Sequence, residues 1–399
     1  MLQLAIMNMQ KMVYVLDIKR TAIGKFLGTL SDYKATYLPQ PIFNYFIKKY
    51  PFIQKKTDEI IIGNVISSGV GMNPARIISY QAGLSEKIPA ITVNYVCGSG
   101  LRAIVEGAKS ILLDQADIVL AGGTESMSNA PYLLTKSRKG MNSGSYQLID
   151  SIYNDGLYCL LAKSYMGVTA ENIAKKYKIS RTQQDKFAFN SHLKAIKAID
   201  QNLFKDEIVD FPLRDSVFNI DEQPRRNTSL TKLSELKTLY GDQGTITAGN
   251  ASSLNDGASI AIIVSEKILK KYHLKPLARI ISWDYIGTDP RYMGLAPYYS
   301  IKNLIKKIKI KLNDIDLFEI NEAFASQIIA VMHLLNINPE KLNTNGGAIA
   351  LGHPIGASGT RILTTLIYEL KRRKLRYGIA SLCIGGGQGV SILVENIFN

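Results

Sequence analysis

Two of the three cysteines in this 399-residue chain lie beside glycines, and so does one of its four histidines. Cys97 occurs in the sequence VCGSG, Cys383 in CIGGG, His353 in ALGHPIGASG and Asn321 in EINEAF. Glycine lets a substrate approach the backbone closely and leaves N–H groups accessible. These four residues therefore predict an active site that works through a nucleophilic cysteine.

Cys97 follows a β-rich run and precedes Gly98 and a long helix. We expect its sulfur to face the N-terminal end of that helix, where the helix dipole lowers a thiol's pKa and favours the thiolate. Most cysteines are inert buried residues. The flanking glycines at a strand-to-helix turn favour a nucleophile here.

The other residues suit proton transfer and charge stabilisation. His353 can take a proton from Cys97, and Cys383 can remove a proton from the carbon next to a thioester. The backbone N–H of Gly385 can bind an oxyanion. The amide of Asn321 can hold a water or a carbonyl oxygen near His353. A second cysteine is not needed for acyl transfer alone, so Cys383 points to carbon–carbon chemistry.

The elements around these residues are duplicated. Two segments of the chain share one order of elements: a strand, a Gly/Ser turn, a helix and a second strand that ends in glycines. The first segment begins with a strand at residues 91–96, and the second begins with a strand near residue 342. Within this order, SGLR at 99–102 recurs as SGTR at 358–361. The period is too long for a solenoid, so the pattern predicts two similar α/β halves packed together.

Composition changes between the halves toward charged helical segments that are too long for a plain linker. We expect an N-terminal half over residues 1–126, completed by about 255–276, and a C-terminal half over 277–399. Residues 127–254 form a predicted inserted α+β loop domain that covers the active site.

The net charge of +15 arises from lysines spread along the chain. They match no nucleic-acid-binding motif, so a solvated surface that attracts a phosphorylated small molecule is the better interpretation.

Three cysteines make no disulfide framework, which favours the cytoplasm. The N-terminus has no signal-peptide pattern or membrane-length apolar run, and translation can begin at Met1 or Met12.

At this point the chain resembles the thiolases, the acetyl-CoA C-acyltransferases. Short motifs in family order along nearly the whole chain carry the resemblance: RTAIGKF at 20–26, GNV at 63–65, NPAR at 73–76, VCGSG at 96–100, ESMS at 125–128, TAE at 169–171, NEAF at 321–324, GHP at 352–354 and CIGGG at 383–387. The resemblance implies the thiolase fold, with duplicated halves in αβαβα layers and an inserted loop domain.

It also implies a reaction. The residue matched by Cys97 is acylated by one acyl-CoA with the help of His353, and the base matched by Cys383 deprotonates acetyl-CoA for a reversible Claisen condensation. One oxyanion hole is implied at His353 and a water on Asn321, and the other at the N–H groups of Cys97 and Gly385. Neither a metal nor a redox cofactor is implied.

Coenzyme A thioesters are the implied substrates. Leu157 and Met166 match residues lining the pantetheine tunnel, and Ser252 matches a pantetheine contact. Arg225, with Lys232 nearby, falls where the family binds the adenine and phosphate end. A homotetramer or homodimer active in lipid and fatty-acid metabolism is implied, with no nucleic acid or membrane as partner.

Acetoacetyl-CoA formation is the favoured activity, and three alternatives stay open. Short-chain biosynthetic members have His where this chain has Tyr165, so a broader 3-ketoacyl-CoA thiolase of fatty-acid degradation is the first. A decarboxylating ketoacyl synthase shares the fold but needs no cysteine like Cys383. An acyl-CoA-binding scaffold is the non-enzymatic alternative, against which the full catalytic set argues.

Overall fold

Long apolar runs rich in Ile, Val and Ala form a central β-sheet in the computed structural model, which describes residues 11–141 and 143–397. The alternative start at Met1 lies outside the described residues. The strands are β1 Val13–Arg20, β2 Gly24–Lys25, β3 Glu59–Gly63, β4 Ala90–Val93, β5 Ile118–Ser126, β6 Tyr132–Leu133, β7 Ile149–Asp150, β8 Tyr158–Cys159, β9 Ser164–Tyr165, β10 Phe211–Pro212, β11 Val217–Phe218, β12 Asn255–Ser265, β13 Ala278–Gly287, β14 Leu317–Ile320, β15 Tyr377–Ile384 and β16 Gln388–Asn396.

Ten of these strands form one sheet in the order β14-β15-β16-β13-β1-β12-β5-β3-β4, with β2 paired to β12. The sheet consists of two parts that meet where β1 pairs antiparallel with β13, Val13 opposite Ile280. Each part contains parallel neighbours and one antiparallel return strand, β12 or β16. The buried run at 259–264, which predicts a strand returning to the first half, is β12.

The two parts repeat a local irregularity as well as a topology. A β-bulge interrupts β1 between Val15 and Asp17, and another interrupts β13 between Ile280 and Ser282. A bulge shifts the alternation of side chains by one residue. In β1 the residues facing the middle of the protein are accordingly Val13, Val15 and then Ile18. The shared bulge supports the predicted duplication.

The helices lie on both sides of the sheet parts and between them. Their bounds are α1 Gln40–Lys49, α2 Ile53–Lys56, α3 Pro74–Gln81, α4 Ser99–Leu112, α5 Met166–Lys176, α6 Arg181–Asp200, α7 Leu230–Ser234, α8 Glu266–Lys271, α9 Ala296–Ile308, α10 Ala325–Leu335, α11 Ala348–Leu351 and α12 Ser358–Arg373.

Three apolar clusters define five layers. The central cluster joins α4 and α12 to the inner faces of both sheet parts. A second packs α1, α2 and α3 on the outer face of the first part, and a third packs α9 and α10 on the outer face of the second. This arrangement confirms the predicted layered α/β architecture. Among the described residues, no helix is long and apolar enough to span a membrane.

The central helices α4 and α12 touch through glycines. A Cβ added to Gly359 would lie 2.3 Å from the backbone nitrogen of Leu101, and one added to Gly100 would lie 3.0 Å from the backbone nitrogen of Thr360. Neither helix has room for a side chain at this point. The repeated sequence SG(L/T)R thus marks a backbone-to-backbone crossing.

The inserted segment begins where β5 ends and finishes where β12 starts. The equivalent strands of the second part, β15 and β16, are joined only by Gly385, Gly386 and Gly387. The insertion holds the short strands β6–β11, the helices α5–α7 and a π-helix at Ile152–Leu157. One half therefore carries a long connection at the place where the other has a tight turn.

Two predicted strands are shorter than expected. The strand at 91–96 ends at Val93, because the chain then turns toward Cys97. The strand predicted near 342 is reduced to a single bridge between Leu342 and Phe318. Asn343 causes the interruption, since its φ is +45° and its side chain bonds both the N–H and the carbonyl of Ile320.

We predict that Gly359→Ala destabilises the protein by about 1–3 kcal/mol, because the added methyl group overpacks a backbone contact. Thermal unfolding followed by circular dichroism measures the effect. Gly287→Ala is the matched control, since a Cβ there meets nothing within 4 Å. Equal melting temperatures for the two variants would contradict the tight crossing.

Candidate active site

Cys97 lies in a strained turn between β4 and α4. The preceding residue, Val96, has a φ of +45°, which β-branched residues rarely adopt. Ser99 holds the turn, because its Oγ accepts a hydrogen bond from the N–H of Tyr95 at 2.8 Å and donates one to the carbonyl of Val96 at 2.6 Å. Such strain persists only where the surroundings enforce it. Residue types alone gave no indication of it.

Burial dominates the electrostatics of Cys97. Part of the residue reaches the surface, yet desolvation raises the pKa of its thiol to about 11, although the N–H groups of Gly385 and of Cys97 itself donate to the sulfur. The prediction that the terminus of α4 lowers this pKa is therefore wrong, because the loss of water outweighs the nearby donors. Cys97 rests as a neutral thiol with two N–H groups directed at it.

Cys383 lies near the end of β15, opposite Gly389 of β16. The turn that follows needs left-handed backbone at Gly386 and Gly387, whose φ values are +86° and +80°. This turn brings the N–H of Gly385 to Cys97. Burial and the nearby Cys97 raise the pKa of Cys383 far above its usual range. The two thiols are thus both desolvated and close enough to influence each other.

A serine fixes the tautomer of the buried His353. Nδ1 of His353 lies 2.6 Å from Oγ of Ser358, and that hydroxyl donates to the carbonyl of Pro354 at 2.8 Å. Because the hydroxyl has a single proton, Nδ1 carries the imidazole proton and Nε2 is an acceptor. Burial, together with the positive charge of Arg361, lowers the pKa of His353 to about 3, so the ring is neutral.

Asn321 contacts the free nitrogen of that ring. Its Nδ2 lies 3.3 Å from Nε2 of His353, whereas its Oδ1 is buried without a partner. Its backbone N–H donates to Ser381 at 3.0 Å, which aligns it with the strand of Cys383. A buried acceptor without a donor is costly. A water or a ligand that donates to Oδ1 would relieve this cost.

Two buried glutamates, Glu125 and Glu322, hold the loops of the site. Glu125 accepts hydrogen bonds from the N–H groups of Val65, Ile66 and Gly356 at 3.0–3.2 Å and thereby joins the two halves. Burial raises the pKa of Glu125 to about 7. Glu125 begins the ESMS motif, but only the folded contacts reveal its structural role.

Glu322, which follows Asn321 in the sequence, also accepts hydrogen bonds from several segments around the site. It accepts from Ser191 Oγ at 2.7 Å, Asn343 Nδ2 at 2.8 Å and the N–H of Ile349 at 3.2 Å. In the EINEAF motif Glu322 precedes a helix, and a glutamate at this position can either orient its neighbours or cap that helix. The contacts agree with the first, since α10 begins after Phe324 with no side-chain cap.

Leu157 and Met166 lie close to the cysteines. Leu157 packs against the apolar cluster of Val65, Ile66, Met127, Ile152 and Ile355 that also contacts Cys97. Met166 shares a cluster with Cys383 and with Cys159. Its Sδ would lie 3.5 Å from a Cβ added to Gly385. Cys159, the third cysteine, has no glycine beside it, is buried and accepts the N–H of Ala162.

Arg225 and Lys232 line a separate cavity of about 570 Å³. Lys25 and Arg226 add further positive charge to its wall, whereas Ala248, Gly249 and Ala251 form an uncharged side. Arg226 is paired with Asp200 at 2.5 Å. The cavity suits an elongated ligand with an anionic end.

Ser252 lies between this cavity and the cysteines. Its neighbours Ala251 and Ser253 line the cavity, and its own N–H donates to the carbonyl of Ala323 at 3.0 Å. Ala323 belongs to the cluster around Cys383. The predicted residues thus lie in two groups, one around the cysteines and one around the basic cavity, which are linked through this contact. In the described ranges, no group of three or more His, Cys, Asp or Glu side chains is placed to hold a metal ion.

Comparisons with known proteins agree on one family. The thiolase N-terminal domain matches residues 13–267 and the thiolase C-terminal domain matches residues 274–396. A probable acetyl-CoA acetyltransferase of Escherichia coli K12 is 44% identical over 96% of this chain and 99% of its own length. A probable acetyl-CoA acyltransferase of Staphylococcus aureus is 46% identical over 94% of this chain and 97% of its own.

Solved structures show the same relationship. An acetyl-CoA acetyltransferase of Bacillus anthracis superposes with a TM-score of 0.94 at 39% identity, covering 97% of this chain and 99% of the other. Human mitochondrial 3-ketoacyl-CoA thiolase in complex with CoA superposes with a TM-score of 0.94 at 40% identity, covering 97% and 98%. With both halves matched and the fold shared over nearly its whole length, the chain belongs to the thiolase family of acyltransferases.

Proposed function

We propose that this protein is an acetyl-CoA C-acetyltransferase that catalyses the reversible Claisen condensation of two acetyl-CoA molecules to acetoacetyl-CoA and CoA. The proposal is supported above all by two free cysteines, Cys97 and Cys383, that lie close enough to interact electrostatically, with a backbone N–H directed at the first. One thiol can hold an acyl group while the other moves a proton on carbon.

In the first half-reaction, Sγ of Cys97 attacks the thioester carbonyl. Its proton passes to Nε2 of His353, the nitrogen that the tautomer leaves free. Because the pKa of Cys97 is raised to about 11 and that of His353 lowered to about 3, the neutral pair is strongly favoured at rest. The proton therefore leaves as the carbon–sulfur bond forms. The N–H groups of Cys97 and Gly385 stabilise the oxyanion.

The departing CoA sulfur takes the proton of Cys383, which converts that cysteine into a base. In the second half-reaction Cys383 removes a proton from the methyl group of acetyl-CoA. The carbanion then attacks the acyl carbon, the bond to Cys97 breaks, and the histidine returns its proton to that sulfur. Protonated His353 and a donor held by Oδ1 of Asn321 stabilise the enolate oxygen. All groups return to their starting states.

The residues around the basic cavity, together with those that lie between it and the cysteines, bind CoA. Arg225 and Lys232 attract the phosphates, Ser252 contacts the pantetheine chain, and Leu157 and Met166 line its path to the cysteines. The attraction of phosphate to the cavity is electrostatic. The proposed chemistry uses CoA thioesters as substrates and needs neither a metal nor a redox cofactor, because sulfur and imidazole perform every step.

A broader 3-ketoacyl-CoA thiolase is the second candidate, and the surroundings of Met166 favour it in one respect. Tyr165 is 44% exposed, and its ring lies 5.2 Å from that of Tyr158 and 6.1 Å from that of Tyr153. Three aromatic rings beside Met166 offer apolar contact to an acyl chain longer than acetyl. The human 3-ketoacyl-CoA thiolase named above is as similar as the bacterial acetyltransferase.

Homo-oligomerisation and a cytoplasmic location belong to the proposal. Strand β4 ends the sheet, and its Ile91 is 47% exposed, so a second copy can pair along this edge. The three thiols are all free, and a reducing compartment preserves them.

Replacing each cysteine should separate the half-reactions. We expect Cys97→Ala to give no acetyl adduct after incubation with acetyl-CoA, whereas Cys383→Ala still acquires one but no longer exchanges α-protons. Intact-mass spectrometry detects the adduct, and deuterium uptake into acetyl-CoA measures the exchange. Cys159→Ala is the control and should retain both. An acetyl adduct on Cys97→Ala would refute the assigned nucleophile.

The raised pKa of Cys97 predicts how the free enzyme reacts with an alkylating agent. Because thiolate forms only as the pH approaches about 11, the alkylation rate should rise roughly tenfold per pH unit from neutrality upward. Iodoacetamide labelling of Cys97 followed by peptide mass spectrometry measures this rate. A plateau below pH 8 would instead indicate a preformed thiolate–imidazolium pair and contradict the neutral resting state.

The dependence of thiolysis on the length of the substrate's acyl chain distinguishes the two candidate activities. We expect thiolysis of acetoacetyl-CoA to exceed that of 3-ketohexanoyl-CoA and 3-ketodecanoyl-CoA by about tenfold or more in kcat/KM. Tyr165→His is the matched variant and should sharpen this preference if the aromatic rings hold longer chains. Equal kcat/KM across the series would favour the broader thiolase.

A further inference from the structure

His192 lies in the wall of the basic cavity, although its sequence context, within a helix, gave no reason to expect a function. It is 4% exposed on α6 and lines the cavity together with Arg225 and Lys232. Its Nδ1 accepts a hydrogen bond from the backbone N–H of Arg225 at 3.2 Å. The ring is therefore held in one orientation by the segment that carries the positive charges.

The hydrogen bond to Nδ1 determines what the other nitrogen can do. Since Nδ1 is an acceptor, the proton of the neutral ring is on Nε2. Burial and the charge of Arg225 lower the pKa of His192 to about 4, which keeps the ring neutral at physiological pH. Within the described ranges, no protein group accepts from Nε2, and this atom is not among the enclosed unpartnered ones. It opens onto the cavity as a free donor.

We propose that His192 is a further CoA-binding residue, whose Nε2–H donates a hydrogen bond to an oxygen atom of the CoA part of the substrate. The inference rests on the proposed function, because it assumes that the cavity takes CoA. An oxygen acceptor of this kind is available either on a phosphate or on an amide carbonyl of the pantetheine chain. Lys25 and Arg225 draw the anion by charge, whereas His192 contributes a directional hydrogen bond.

The charge pattern of the cavity supports this division of roles. The side-chain nitrogens of Lys25 and Arg225 have no partner among the described residues, and both side chains are exposed. Lys232 is already bonded to the carbonyl of Asn227 at 2.8 Å. A buried neutral donor next to exposed, mobile cations can fix the position of a ligand that the cations alone would hold loosely.

Substitutions at His192 can separate its two hydrogen bonds. His192→Asn keeps an acceptor near the Nδ1 position for Arg225 but removes the donor at Nε2. His192→Gln keeps a donor near the Nε2 position. We expect KM for acetyl-CoA in Cys97 acetylation to rise about threefold to tenfold in His192→Asn and to stay close to wild type in His192→Gln, with kcat unchanged in both. His333→Asn, on the exposed surface of α10, is the control.

Truncated thioesters identify the acceptor. The same variants are assayed with acetyl-CoA, S-acetyl-pantetheine and S-acetyl-N-acetylcysteamine, which lacks the nucleotide and most of the pantetheine chain. A rise in KM with acetyl-CoA alone supports a phosphate acceptor, and a rise with S-acetyl-pantetheine as well supports an amide carbonyl.

An equal rise in His192→Asn and His192→Gln with all three thioesters, or no rise with any substrate, would overturn the inference, because His192 would then act on folding or not at all. Failure of the proposed function has a different signature, since the wild-type protein itself would transfer no acetyl group from any of the three thioesters to Cys97.

Discussion

The crossing of α4 and α12 is the contact on which the active site depends. Gly100 and Gly359 allow the two backbones to meet without side chains between them. The first residue of each helix is a serine that holds a reactive loop, Ser99 at the Cys97 turn and Ser358 at His353. Because the two helices meet at this close contact, it also sets the positions of Cys97 and His353 relative to each other. The duplicated motif is therefore both a packing device and a positioning device.

Burial then determines the chemistry available to these groups. Cys97, Cys383 and His353 all rest in their neutral forms, because a charged form would lack water around it. Charge can develop only when a substrate brings its own polar atoms into the pocket. The hydrogen bonds to Glu125 and Glu322 keep the surrounding loops fixed meanwhile, since satisfied buried polar groups rigidify their neighbours. The site is organised before the substrate arrives.

Much of this could be predicted from sequence, and the limits have physical causes. The strands and central helices follow from apolar periodicity, and Cys97, His353, Cys383 and Asn321 stand out because glycine or a fixed motif surrounds them. The left-handed Val96 could not be predicted, because its strain is imposed by contacts distant in sequence. The thiol pKa was misjudged for a related reason, since helix position is visible in sequence whereas desolvation depends on the whole fold.

The connection between β5 and β12 differs greatly in length from the equivalent connection between β15 and β16. In the second half a three-glycine turn between β15 and β16 directs the N–H of Gly385 at the sulfur of Cys97, whereas in the first half the long insertion between β5 and β12 lines most of the basic cavity. The repeated architecture thus accommodates two very different connections at one topological position. The basic cavity can therefore be altered through residues of the insertion without any change to the three-glycine turn beside Cys97.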